Sequence, residues 1–154
     1  METRRSVLAL YSKATVMNPG SYRAWHEWGL ANYRAAEEMR GRGGGRRFSG
    51  SSALGKLQAT QGNVAIESVA NSFLVNAAKG LLRSISLGTR RWGSSVSQDM
   101  LLLLSIWFRH GHVPDVYATL DAGLSTVHID NWLGVLPQVT LAHMNEIIFD
   151  LHIN

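Results

Sequence analysis

Cysteine is absent from the 154 residues, which removes disulfides, thiolate nucleophiles and cysteine-held zinc or iron–sulfur sites in one step. No run approaches the roughly 18 apolar residues that signal a bilayer span, and the stretch Met1 to Leu8 lacks an apolar core of secretory length. A soluble intracellular protein is the expectation. Neither His-Arg-Asp nor Asp-Phe-Gly occurs, so the residues that transfer phosphate in protein kinases are missing. Bases, finally, are missing from the last 45 residues. All 15 Lys and Arg lie at or before Arg109, where they face six acids for a net +9, and Asp115, Asp121, Asp130, Glu146 and Asp150 follow with no base. Such polarity can mark a nucleic-acid surface. Because the bases cluster around the glycine run and from Arg83 to Arg91, a solvated face or an acidic protein neighbour is the preferred reading.

What is present is a globular composition, 45% hydrophobic and 17% charged with five Trp, in helical rhythm. Val7, Leu8, Leu10, Tyr11, Ala14 and Met17 recur at three- and four-residue spacing from about Arg4 until Asn18-Pro19-Gly20 stops them. Ser21 is suited to cap a second helix to about Arg40, with Tyr22, Trp25, Gly29, Asn32, Tyr33 and Ala36 on one stripe and Gly41 at its end. Residues 41–62 are rich in Gly, Arg and Ser and are expected to be a flexible loop. Asn63 then caps a helix to about Leu87 that buries Val64, Val69, Phe73, Leu74, Ala77, Leu81 and Ile85, closed by Gly88. Ser95 and Gln98 have capping-box spacing before Met100 to Phe108, apolar nearly all round and so expected to be central, with Gly111 as the stop. Pro114 opens a helix to about Val127 with Val116, Tyr117, Leu120 and Leu124 inward, and Asp130 caps a last one kinked at Pro137. No segment shows clean two-residue alternation. The fold class is all-α, antiparallel helix pairs in a tetratricopeptide- or HEAT-like solenoid fragment.

Tyr11, Ala14, Pro19, Trp25, Trp28 and Gly29 meet the tetratricopeptide pattern in order over one and a half repeats. Gly29 and Ala14 would let helices approach while Trp25 and Tyr11 fill the space between them. Three repeats are normally needed to close such a core, so the chain reads as a piece of something longer. Larger blocks carry a more specific resemblance: Tyr11 to Thr15, Ala24 to Trp28, Asn32-Tyr33, Lys79 to Leu87, Gln98 to Leu101, Trp107-Phe108, Gly111 to Val116 and Ile129 to Gln138. In this order they closely resemble the C-terminal part of the FAT region of target-of-rapamycin kinases, serine/threonine kinases of the phosphatidylinositol-3-kinase-related family, from about Val7 to Val139.

The resemblance implies a helical scaffold that clasps a kinase domain in target-of-rapamycin signalling and growth control. It also implies a low-complexity loop at 41–62 and a truncated or mispredicted product lacking the kinase domain. Its domains would be 1–40, a tetratricopeptide-like helix pair; 41–62, the loop; 63–139, FAT-type repeats; and 140–154, a divergent tail. Expected partners are the parent's kinase domain, neighbouring repeats and complex subunits. The expected location is cytoplasmic, with membranes reached through those subunits, or the nucleus. In this family an acid usually follows the Trp-Phe pair, whereas Arg109 and His110 stand here.

No residue is assigned as catalytic, cofactor-binding or metal-binding, and no cofactor or small-molecule substrate is expected. Gly50 to Lys56 has phosphate-loop spacing, but Leu57 occupies the position that must give magnesium a hydroxyl. Gly41 and Gly43 begin a dinucleotide or kinase glycine pattern whose third glycine is Arg46. His26-Glu27 lacks the second His of a zinc-protease helix, which is Leu30. His110 and His112 with His143 or His152 have no convincing further ligand and read as helix-end or surface histidines. The run Arg40 to Arg47 is the competing nucleic-acid-binding reading; with Phe48 alone to stack on bases, it is taken as a solvated linker. Arg46-Arg47-Phe48-Ser49 has the form of a basophilic kinase target. Trp25, Trp28, Trp107 and Trp132 are taken as core.

Overall fold

A computed structural model describes residues 2–44, 53–88 and 93–124. Among them are five helices and no strand: α1 Glu2–Met17, α2 Tyr22–Gly44, α3 Ala53–Leu87, α4 Gly93–His110 and α5 Pro114–Leu124. The turn after α1 forms where the sequence places it. Asn18 N donates to Ala14 O at 3.0 Å, Ser21 N to Asn18 O at 3.1 Å, and Ser21 Oγ accepts from Ala24 N at 3.3 Å as an N-cap. Trp25 Nε1 adds a bond to Pro19 O at 2.9 Å, fixing the entry of α2. Between α4 and α5 the Gly111 amide donates to Trp107 O at 2.8 Å, and Pro114 occupies the first helical position.

The central helix is α3, which packs against α2, α4 and α5, whereas α1 packs on α2. Its buried stripe runs Ala70, Leu74, Ala77, Leu81 and Ile85. The core adds Tyr22 and Ala36 from α2, Met100, Leu103 and Ile106 from α4, and Val116 and Leu120 from α5. Each large aliphatic side chain so buried contributes about 1.5–3 kcal/mol. Gly29 of α2 lies directly against Gly80 and Leu81 of α3. The close approach expected of Gly29 is therefore made to α3 and not to α1, because only α3 presents a facing glycine.

Several sequence expectations are corrected. α2 does not stop at Gly41 but continues to Gly44, since an exposed glycine costs a helix only about 1 kcal/mol. α3 begins at Ala53, not Asn63: residues 53–61 are mostly good helix formers, and the chain passes through Gly62 without a break. Helix therefore covers both ends of the expected 41–62 loop and crosses the expected 62/63 domain boundary; residues 45–52 lie outside the described ones. Val64 and Val69, expected inside, are 65% and 44% exposed, for Val69 points away from the buried stripe and Val64 borders an open trough between α3 and α5.

Ser95 is not a cap, because α4 already starts at Gly93; its hydroxyl instead reaches across to Tyr22. α4 is not central either. It buries Val96, Met100, Leu103 and Ile106 and leaves Trp107 and Phe108 exposed, so Trp107 is not core. Tyr117, expected inward with Leu120, is exposed: it lies at the edge of the buried Val116–Leu120 stripe. The expected reach of helix to Val127, the helix from Asp130 with its kink at Pro137, Trp132 and the 140–154 tail all lie outside the described residues. Among the described residues no helix is long and apolar enough to cross a membrane.

Candidate functional site

The chemistry-bearing side chains of the described residues gather at two levels of the α2–α3–α4 packing. At the first, Asp99 projects from the buried face of α4, one turn from Val96 and Leu103, and is 1% exposed. Tyr22 Oη donates to its Oδ2 at 2.9 Å. Ser84 Oγ stands 2.8 Å from the same oxygen and 2.9 Å from Leu81 O, one hydroxyl proton facing two acceptors. His26 Nδ1 lies 2.7 Å from Oδ1, and because an ionised carboxylate only accepts, the imidazole carries its proton there. The Tyr22 and His26 rings stack at 5.5 Å. Burial pushes the Asp99 carboxyl above the ordinary carboxylate range, opposed by the hydrogen bond from Ser84, the His26 charge and the bond from Tyr22. Burial, then Asp99, raises the Tyr22 phenol, which stays a donor.

Serine, histidine and aspartate are thus together but not in the order of a hydrolase. In a nucleophilic triad the histidine lies between serine and carboxylate; here Asp99 is the hub, and Ser84 and His26 both turn to it. The Ser84 hydroxyl meets Asp99 Oδ2 and Leu81 O, not an imidazole. The arrangement is chemically a clasp that joins α2 (Tyr22, His26), α3 (Ser84) and α4 (Asp99).

At the second level Arg40 of α2 performs the same task. Its Nη2 donates to Glu67 Oε1 at 2.8 Å and Asn71 Oδ1 at 2.7 Å on α3. Its Nη1 stands 2.8 Å from Nδ1 and 2.9 Å from Nε2 of His110 on α4. A neutral imidazole has one acceptor nitrogen, so one of these contacts is the hydrogen bond. Burial first, then the charges of Arg40, His112 and Arg109, pushes His110 down to about 4, against the pull of Glu67. His110 is therefore neutral near pH 7 and able to accept from Arg40, while Glu37 stands 4.0 Å from its Nε2. This is the neighbourhood in which Arg109 and His110 follow the Trp-Phe pair.

These positions answer the candidates taken from the sequence. His26 serves Asp99, and His110 serves Arg40. His112 is exposed, and His143 and His152 lie outside the described residues; among the described ones no group of three or more metal-ligating side chains occurs. Arg40, counted in the basic run, is committed to Glu67, Asn71 and His110. Ala53 to Lys56 of the phosphate-loop match form the first turn of α3; Ser49 and Gly50 lie outside the described residues. Asp99, Ser84 and Gly80 escaped the sequence reading. The available signal for Asp99 was its place at i+3 from Val96 and i−4 from Leu103, which puts a lone acid on the inward face of α4.

Comparison with known proteins fits this architecture. A family model described as the FAT domain matches residues 1–105. The chain is 31% identical over 138 residues to serine/threonine-protein kinase tor1 of Schizosaccharomyces pombe, with 90% of this chain and 5% of that protein covered. It is 32% identical over 144 residues to serine/threonine-protein kinase mTor of Drosophila melanogaster, covering 88% and 5%. With serine/threonine-protein kinase TOR of Arabidopsis thaliana it shares 32% over 130 residues, covering 84% and 4%. The aligned segment is thus a small part of each of these relatives.

Proposed function

Because this chain belongs to the FAT domain family, we propose that it is a non-catalytic helical scaffold segment that packs against the kinase domain of a target-of-rapamycin-type protein kinase. The observation that carries the reading is the double tie of α2, α3 and α4: the carboxylate, imidazoles, hydroxyl and guanidinium that could do chemistry are spent on one another. Asp99, the one buried acid among the described residues, is saturated by donors from three places in the chain. A surface made to be clasped against a partner gains from such internal stiffness, because less ordering is required on binding.

In this reading the chain is one segment of a longer kinase and acts in growth-control signalling in the cytoplasm. Its partners are the parent's kinase domain, adjoining helical repeats and the subunits of the parent's complexes. Phosphoryl transfer belongs to the parent's kinase domain. The test is retention of a purified target-of-rapamycin kinase domain on the immobilised full chain, together with an assay of the chain alone for ATP hydrolysis and peptide phosphorylation. Retention with no turnover by the chain is expected. Retention no better than that of a kinase domain from an unrelated family, or turnover that survives repurification, would overturn the reading.

A further inference from the structure

A trough runs along α3 beside α5, formed by two adjoining cavities of about 750 and 560 Å³ that share Ala118 and Thr119. α5 runs in the same sense as α3: Asp115 borders the upper cavity with Glu67, and Gly123 meets Leu82 in the lower. The side chains that rise into the upper cavity, such as Ser68, Ser72 and Thr119, are short, and Val75 gives it an apolar floor. Short side chains at a contact are what permit helix axes to approach to about 8 Å.

The two ends carry opposite charge. Glu67 and Asp115 stand at one end, Lys79 and Arg83 at the other. Glu67 pairs with Arg40. Asp115, Lys79 and Arg83 are exposed and have no ion-pair partner among the described residues. From Glu67 to Arg83 the trough spans about 24 Å at 1.5 Å rise per residue, the length of a helix of about 16 residues.

We propose that this trough is the docking site for one helix of a partner protein, of about 16 residues, running antiparallel to α3. The partner helix has acids in its first turn, facing Lys79 and Arg83, bases in its last turn, facing Asp115 and Glu67, and small apolar residues on the contact face. Helices favour acids at the N-terminus and bases at the C-terminus because of the backbone dipole. A helix of the common charge order therefore fits the trough in one direction only. The proposal rests on the scaffold reading and specifies one contact surface for it. Its test uses no kinase domain, so the two can fail separately.

The probes are two synthetic stapled 18-residue helices with the same Ala/Leu contact face, one with Glu in the first turn and Lys in the last, the other with Lys in both. Affinity for the full chain is read by fluorescence anisotropy, and the site by amide chemical-shift changes. The first peptide is expected to bind about tenfold more tightly, a difference of about 1.4 kcal/mol, and to move the amides of Ser68, Ser72, Thr119 and Ala122. Lys79→Glu with Arg83→Glu, confirmed folded by circular dichroism, should reverse the preference. Equal affinities, shifts elsewhere or no reversal would overturn the proposal. So would occupation by the chain itself. A bimane label on Ser72→Cys that is quenched in the free chain and relieved by Trp132→Phe would assign the trough to its own C-terminal segment. Quenching that grows with protein concentration would assign it to a second copy.

Discussion

Gly29 and Gly80 face each other where α2 crosses α3, so closely that a methyl group on Gly80 would stand 2.7 Å from Gly29 Cα and 2.8 Å from Gly29 N. Both neighbours are backbone, which cannot rotate aside as a side chain can. Gly80→Ala must push the helices apart, and a destabilisation of about 1–3 kcal/mol is expected. Gly62 lies in the same helix with nothing within 4 Å of the equivalent position. There the same substitution gains helix propensity, and Gly62→Ala should stabilise by about 0.5–1 kcal/mol. Urea denaturation of the two variants checks the opposite signs.

Removing the hub of the first clasp strands its donors. Asp99→Ala leaves the Tyr22 hydroxyl, the Ser84 hydroxyl and the His26 ring without their buried acceptor. A loss of about 3 kcal/mol is expected. Tyr22→Phe alone removes one donor and should cost about 1 kcal/mol. In the double variant the phenol has no acceptor left to miss, so the two losses should fall short of their sum by at least about 0.5 kcal/mol. Strict additivity in denaturant melts would show that Tyr22 and Asp99 do not act together.

How far the sequence foretold this structure depends on the range of the interaction that decides each feature. The α1–α2 turn, the Ser21 cap, the Gly88 and Gly111 stops and the Pro114 start are local, and each appears where its residues place it. The glycine-rich composition of 41–62 misled because a glycine costs a helix only about 1 kcal/mol, so α2 carries on from Gly41 to Gly44 and α3 runs through Gly55 and Gly62 among Ala, Leu, Lys and Gln. The candidate site was the least legible. Asp99 stands 77 positions from Tyr22 and 15 from Ser84, and only the packing of three helices brings them together. Periodicity gives the face a side chain takes but not the element that will cover it.

α4 shows that limit and offers a contrast within three residues. Its run Met100 to Phe108 is apolar nearly all round, yet Ile106 is fully buried and Phe108 is 59% exposed. Ile106→Ala opens a cavity in the core and should cost about 2–5 kcal/mol. Phe108→Ala removes a larger side chain and should change stability by less than about 0.5 kcal/mol in the isolated chain. Comparable losses from both, measured by thermal melts, would mean that Phe108 is covered in solution.

The second clasp makes stability depend on acidity in a direction fixed by His110. Its folded pKa, about 4, lies below the ordinary 6.5 because burial, Arg40, His112 and Arg109 outweigh Glu67. As pH falls from 6.5 the unfolded chain takes up a proton that the folded chain refuses until about 4. Stability from this group is therefore complete above 6.5 and is lost across that window, by up to about 3 kcal/mol. Asp99 works the other way, since a carboxyl raised by burial binds its proton more readily folded than unfolded and so adds stability as pH falls toward its ordinary range. The net curve of the protein mixes the two. Subtracting the curve of His110→Gln, which keeps an acceptor for Arg40 but does not titrate, isolates the histidine. The difference between wild type and variant should change steadily between pH 6.5 and 4 and be flat from pH 7 to 8. A difference that is flat throughout would show that His110 is neither buried nor held against Arg40 as described.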